Sequence, residues 1–468
     1  MKTPMIELAV AGRIVGITPE LLERYGHPVP RYTSYPTAPE WDDTFGEADL
    51  RDAYAARLHS ARPLSLYVHI PFCSSLCLYC GCNVVISRDR SVARPYLDRL
   101  KKDIDMTADL LDTARPVDQI HWGGGTPTYL SAEQIVELYE MLSQRFRIMP
   151  GAEVAIEIEP RTVSQEQLVA LRSIGFNRVS MGVQDLDDEV QRTIRRVQSY
   201  DMTRSLFDSC RELAFESINV DLIYGLPHQT VERFLPTIDQ VVEMGPDRIA
   251  LFSYAHVPWM KKQQGSFARH LPDPLEKFSI FCAAADRLQK GGYRYIGLDH
   301  FVREGDELAQ AQDLGRMGRN FQGYTARGDC DLLAFGVSAI GAIEDVYIQN
   351  QRDLPDYNNA IDEGRLPVMR GIRLDAEDRL RRKVINQILC KTRVTPSRIE
   401  REFGIDFSEH FADELGRLRP LERDGLVKIG EDRIQVTSLG RIFIRAIAAV
   451  FDAYLVGKET EKKFSRAV

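Results

Sequence analysis

The sequence predicts an α/β protein: a partial (β/α)6 barrel preceded by an arm and followed by a mostly helical, winged-helix-like domain. Three observations carry that expectation. From residue 64 onward, short β-branched apolar runs alternate with longer amphipathic stretches, the pattern of βαβ units around a parallel sheet. The alternation repeats six times, which suits a partial barrel better than a closed one of eight strands. Nearly every polar motif also falls where a strand candidate ends, and barrels build their sites at that C-terminal edge.

The strand candidates are 64–70, 119–123, 154–159, 178–184, 218–224 and 248–255, with helical patterns at 92–111, 132–146, 165–174 and 231–244. From about residue 371 the character changes. Helical patterns at 376–389, 397–403 and 411–424 precede a two-stranded wing at 426–429 and 434–436. The expected division is an arm at 1–50, a barrel with its extension at 51–370 and a C-terminal cap at 371–468. A winged helix suggests DNA binding, but these helices are rich in Glu and Asp.

Size and charge agree. A chain of 468 residues can bury a large barrel core plus a smaller one. Its net charge of −8 argues against a general nucleic-acid binder, which needs a basic face. No apolar run of about eighteen residues appears, and residues 1–17 lack the shape of a secretory signal. A cytoplasmic protein with no membrane partner is expected.

Residues 1–50 hold one dense motif, Pro30-Arg31-Tyr32-Thr33-Ser34-Tyr35-Pro36-Thr37. Two prolines limit helix there, so an extended arm is expected. It either reaches the site or straps Tyr32 and Tyr35 onto the barrel.

The stretch Tyr67-Val-His-Ile-Pro-Phe-Cys-Ser-Ser-Leu-Cys-Leu-Tyr-Cys-Gly-Cys-Asn83 places Cys73, Cys77, Cys80 and Cys82 within ten residues. Disulfides between such near neighbours would close very small loops, and Cys210, Cys282, Cys330 and Cys390 are scattered, as buried free thiols are. Thiolates this dense suit a metal, either zinc or an iron–sulfur cluster. Zinc sites usually use two separated C-x2-C pairs. In the C-x3-C-x2-C array, three thiolates on a cubic cluster leave one iron open to a small molecule.

The other strand ends are polar too. Gly123-Gly124-Gly125-Thr126-Pro127-Thr128 offers bare backbone to a ligand and lacks the Lys of a phosphate loop. Glu157-Ile158-Glu159-Pro160 ends the third strand, and an inward carboxylate needs a cationic or hydroxyl partner. Ser180 to Asp185 ends the fourth, with Arg195-Arg196 expected on the helix that follows. Asp221 to Pro227 ends the fifth, and Tyr254-Ala255-His256 the sixth. Beyond the barrel lie Gly297 to Phe301, Arg319 to Tyr324 and Gly336 to Ile340; a lone His300 in such a run is more often structural than catalytic.

The array Cys73-x3-Cys77-x2-Cys80 is the signature of radical S-adenosylmethionine (SAM) enzymes, and with Cys82 and the preceding Tyr-Val-His-Ile-Pro-Phe it resembles the oxygen-independent coproporphyrinogen III oxidases. The resemblance runs from Arg31 to the Phe464-Ser465-Arg466 tail, less easily around 261–270. It implies a [4Fe–4S] cluster on Cys73, Cys77 and Cys80, with Cys82 nearby but outside the ligand set, and two SAM molecules. Tyr67, Gly124, Glu157 and Ile340 would serve the first SAM; Tyr79, Gly125, Thr126, Gln184, Arg196, Asp221 and Ala255 the second. Tyr67 and His69 would be catalytic. The arm would lie near the site, and the C-terminal domain would cap the barrel. Tyr79 departs from the family's apolar aromatic but keeps its stacking face, and Ser74-Ser75 replaces bulkier residues. The implied reaction converts two propionates of coproporphyrinogen III to vinyl groups through a 5′-deoxyadenosyl radical. An electron donor, an unidentified electron acceptor and a monomeric state are also implied. Four substrate carboxylates need cationic anchors, for which Arg31 and Arg319 are candidates. The rival readings are a related haem-binding chaperone and a non-catalytic metal- or porphyrin-binding protein.

Overall fold

The computed structural model describes residues 6–10 and 12–457; the Phe464-Ser465-Arg466 tail and the start of the segment read for a secretory signal lie outside them. One sheet of twelve strands organises the chain. Numbered along the sequence, they are β1 Leu64–Ile70, β2 Pro116–Gly124, β3 Arg147–Ile158, β4 Arg178–Gln184, β5 Ser217–Tyr224, β6 Arg248–Ser253, β7 Tyr293–Gly297, β8 His300–Arg303, β9 Asp331–Phe335, β10 Ile340–Ile343, β11 Val346–Asn350 and β12 Val368–Arg373. Their spatial order is β7-β8-β6-β5-β4-β3-β2-β1-β9-β10-β11-β12.

Strands β1 to β6 pair in parallel, as expected of six βα units. A seventh parallel strand, β9, pairs on the far side of β1; its short run did not stand out in the sequence. The expected boundary at residue 371 falls inside β12, so the sheet continues to Arg373.

The strands read as two interleaved rows, because successive side chains point to opposite faces. On β1, Leu64, Leu66, Val68 and Ile70 are fully buried in the core, while Ser65, Tyr67 and His69 form the alternate row. That second row is polar across the sheet. Ser65 Oγ donates to Gln119 (3.0 Å), Gln119 Nε2 to Glu153 (2.8 Å), and Arg178 bridges Glu153 (3.3 Å) and Glu307 (2.7 Å). A sheet with one apolar and one hydrogen-bonded polar face can line a wet cavity with most of its buried polar groups paired.

Helices cover the apolar face. Those at Ala132–Ser143 and Gln165–Ser173 begin with capping boxes on Ser131 and Ser164, as the Ser-x-x-Gln spacing dictates. Between β4 and β5 the chain forms two helices, Asp188–Thr193 and Tyr200–Glu212. Arg195 and Arg196 are not on the first of them, as expected, but just beyond its end, where Arg195 takes a φ of 55° and stops the helix.

The first fifty residues hold more structure than their patterning showed: a hairpin of Ile6–Val10 on Arg13–Ile17, then a helix at Pro19–Tyr25. The arm passes into a seam against the C-terminal domain. Tyr32 donates to Asp452 (3.0 Å), Tyr35 Oη accepts from the Ala453 N–H (3.1 Å), and both tyrosines are buried. They are straps, while Arg31 between them and the barrel pairs with Asp299. The wing has three strands rather than two, because Arg393–Val394 joins Ile434–Val436 beside Val427–Ile429.

Candidate active site at the cysteine loop

The loop after β1 folds back over the strand ends. Its shape is held largely from outside: Gln263 and Gln264 side chains donate to the Cys80 and Tyr79 carbonyls (3.1 and 2.9 Å), and Lys261 Nζ to that of Cys82 (2.6 Å). These residues belong to or adjoin the Lys262–His270 3₁₀ helix, the stretch where the family pattern was hardest to follow. Inside the loop each thiol has a polar neighbour. Cys73 Sγ lies 3.3 Å from Thr126 Oγ1, and Cys77 Sγ lies 3.5 Å from Arg161 and 3.7 Å from Arg196. The Cys82 thiol bonded to Cys80 stabilises the Cys80 thiolate.

These thiols line a cavity of about 270 Å³ with Tyr79, Gly124, Gly125, Thr126, Glu157, Gln184, Arg196 and Asp221. Eight expected ligand-binding residues therefore converge with the cysteines. Three do not line it. Ala255 is exposed beyond the end of β6, Ile340 lines a different cavity, and Tyr67 lies behind Glu157.

The glycine edge of β2 is sterically required. A Cβ on Gly123 would lie 2.7 Å from Glu157 Oε1, and one on Gly124, whose φ is 119°, 2.7 Å from the His69 ring. At Gly125 the obstacle is the Pro71 carbonyl oxygen, 2.6 Å away, and this backbone is tied down because the Gly125 and Thr126 N–H groups donate to Ile70 and Phe72. Gly125→Ala is expected to lower unfolding free energy by about 1–3 kcal/mol, the usual range for overpacking. An unchanged denaturation midpoint would rule out that close approach.

Behind the glycines runs a relay of rings. His69 Nε2 faces the Asn83 carbonyl (3.2 Å), which only accepts, so Nε2 carries the proton and Nδ1 accepts from Tyr67 Oη (3.1 Å). Burial lowers the His69 pKa, favouring this neutral form. Tyr67 stacks on His121, whose Nε2 faces Glu157 at 3.4 Å; Gly124 N–H donates to the same carboxylate at 3.2 Å. Burial would raise the Glu157 pKa, but these bonds hold it below the ordinary range, so Glu157 is an anion at the cavity wall. Tyr67 and His69, expected to be catalytic, are thus placed to position Glu157 and the glycine edge.

On the opposite wall Arg196 bonds Glu159 (2.8 Å) and the Gly182 carbonyl (2.6 Å), and Arg161 takes the other side of Glu159 (2.7 Å). Asp221 accepts from Ser180 (3.0 Å) and Asn219 (2.7 Å), yet burial, with the Glu157 charge, pushes it up to about 6. Its pKa in the unfolded chain is about 3.9, so this carboxyl favours the fold fully below that pH and the contribution is lost as pH rises through 6. Asp221→Asn is expected to flatten the stability profile between about pH 4 and 6, by up to ~3 kcal/mol. A profile superimposable on the parent's would refute the assignment.

Sequence reasoning missed His121 and Asn219. Both lie two residues from a named position on their strands, so the period-2 row would have found them. It also missed Lys261, Gln263 and Gln264, for which no local pattern exists.

Two family models match the chain: the Radical SAM superfamily over residues 67–241 and the HemN C-terminal domain over 374–443. The first runs from within β1 past β5 and covers the cysteine loop and the glycine edge, so the class is radical SAM. The oxygen-independent coproporphyrinogen III oxidase of Synechocystis is 43% identical over 97% of this chain and 98% of its own length; that of Escherichia coli is 46% identical over 96% and 98%. The solved structure of coproporphyrinogen III oxidase (HemN) from Escherichia coli, a radical SAM enzyme, aligns with a TM-score of 0.88 at 47% identity, covering 91% of this chain and 98% of that one. The chain belongs to the oxygen-independent coproporphyrinogen III oxidase family.

Membership of the superfamily implies a [4Fe–4S] cluster and SAM. The residues present fit both. Three cysteines of one loop face a common cavity, the thiolate donor set that an iron–sulfur cluster uses. The side-chain-free edge and the Glu157 anion beside it suit a ligand carrying an ammonium and hydroxyl groups.

Proposed function

We propose that this protein oxidatively decarboxylates two propionate side chains of coproporphyrinogen III to vinyl groups without oxygen, giving protoporphyrinogen IX in porphyrin and haem biosynthesis. The observation that carries this reading is the convergence of Cys73, Cys77 and Cys80 with the glycine edge and Glu157, in a chain that matches oxidases of that name over nearly its full length.

When bound, the cluster and SAM supply a 5′-deoxyadenosyl radical able to take hydrogen from the β-carbon of a propionate. Cys73, Cys77 and Cys80 hold the cluster, with Cys82 outside the ligand set. Gly124 and Glu157 hold one SAM, and Tyr67 and His69 fix their geometry. Tyr79, Gly125, Thr126, Gln184, Arg196 and Asp221 suit a second SAM, whereas Ala255 and Ile340 rest on the family resemblance alone. Orientation and exclusion of water are the protein's main tasks, since radical chemistry makes little demand on acid–base groups.

An external electron donor and an acceptor are required. The protein acts as a monomer in the cytoplasm, where cysteines that form no disulfide stay reduced. Among the described residues no helix is long and apolar enough to cross a membrane. The arm at 1–50 and a cap that begins after Arg373 close together on the barrel, as the buried Tyr32–Asp452 contact between arm and cap supports.

The test is anaerobic: reconstituted protein with dithionite, SAM and coproporphyrinogen III, following 5′-deoxyadenosine and vinyl product. Both products support the reading. Deoxyadenosine alone would move the substrate elsewhere, towards the haem chaperone; neither product, with zinc bound, would leave a non-catalytic metal protein.

A further inference from the structure

A second cavity of about 160 Å³ lies on the same polar face of the sheet, with no lining residue shared with the cysteine cavity. Ser65, two residues before Tyr67 on β1, forms part of its wall, and so do Ile340 of β10, Thr33 of the arm and Asn386 of the helix Ala376–Lys391. Four arginines line it, against a single carboxylate, Glu344, already paired with Arg57.

Two of the four are committed elsewhere. Arg62 bonds the Asp329 carbonyl (3.1 Å) and faces Asp331 (3.4 Å), while Arg382 bonds Asp345 (2.8 Å) and the Glu344 carbonyl (2.7 Å). Arg319 and Arg327 pair with no carboxylate among the described residues. Arg319 donates once, to the Arg31 carbonyl at 3.3 Å, and sits over the Tyr324 ring; its Nε and Nη1, and Arg327 Nε, are buried with no partner. Burying guanidinium N–H groups unsatisfied is costly, and a carboxylate matches their fork with two parallel bonds.

We infer that this cavity is a carboxylate-binding subsite in which Arg319 and Arg327 grip propionate arms of the tetrapyrrole; the inference rests on the oxidase reading above. The volume is below the roughly 300–1,000 Å³ of a pocket that encloses a whole ligand, so it takes carboxylate arms and not the whole macrocycle. Arg31, the other expected anchor, is spent on Asp299. Arg327 was not legible as an anchor, because nothing in Thr325-Ala326-Arg327-Gly328 distinguishes it from a surface arginine.

The test is a fluorescence titration of the full chain with coproporphyrin III, which carries the same four propionates, and with its uncharged tetramethyl ester. Arg327→Gln and Arg319→Gln are each expected to weaken coproporphyrin III binding by about 10- to 100-fold, the range for losing a charge-assisted bond, and the ester should bind as weakly to the parent chain. Arg398→Gln, at an exposed position of the cap, should retain the parent affinity. Two variants are needed because Gly328, next to Arg327, packs on Gly318, and a melting curve checks the fold of each. Parent-like affinity in both arginine variants, or ester binding equal to that of the acid, overturns the inference. A parent chain that binds through these arginines yet forms no vinyl product retains the subsite and overturns the oxidase reading instead.

Discussion

Replacing Cys77 by alanine is expected to abolish iron–sulfur incorporation and vinyl product together, with a loss of more than about a hundredfold. Groups one shell further from a metal already cost about 10–100-fold when removed, and a ligand costs more. Cys77 is the most enclosed of the loop cysteines, flanked by the Arg161 and Arg196 guanidinium groups. Iron and sulfide content after anaerobic reconstitution is the direct readout. A variant that holds the parent's iron and turns over normally would remove Cys77 from the ligand set. The same substitution at Cys82 should leave most of the iron in place, since that thiol serves Cys80.

The second large effect is on stability. Arg196→Met is expected to lower unfolding free energy by about 3 kcal/mol, since breaking a buried ion pair strands the remaining charge. The side chains of Arg196 and Glu159 are only 7% and 11% exposed, and Arg196 also satisfies the Gly182 carbonyl. The loss falls at the lower end of the usual 3–5 kcal/mol because Arg161 still covers Glu159. Denaturant titration of Arg196→Met and of the double variant with Glu159→Gln separates the causes. If stranded charge is responsible, the double variant recovers stability; equal losses would mean that the missing packing and the Gly182 bond dominate.

Much of this protein is legible in one dimension. Local spacing identifies the cysteine array, because Cys73, Cys77 and Cys80 are close enough in sequence to share one loop. The strand cores at 64–70 and 178–184 are found to the residue, since alternation and β-branching are local properties. Period 2 also encodes the polar face: Ser65, Tyr67 and His69, then Gln119 and His121, then Glu153 and Glu157 are regularly spaced. The arm's Arg-Tyr-Thr-Ser-Tyr-Pro motif is visible too, but not its division of labour between strapping tyrosines and an arginine paired with Asp299.

Tertiary structure decided which residues meet. The Gln263 and Gln264 amides and Lys261 hold the cysteine loop from about 180 residues away, and no periodicity marks them. Arg196 reaches Glu159 because the chain leaves the helix at Arg195, a backbone turn invisible in the residue pattern. Whether a given arginine is free or spent depends on which acid lies opposite. Asp299 takes Arg31 and Asp345 takes Arg382, while Arg319 and Arg327 are left for a ligand. Cluster-ligand spacing, strand alternation and helix caps are short-range and can be read from neighbours in sequence. Charge pairing and desolvation are long-range, and only the folded chain assigns their partners.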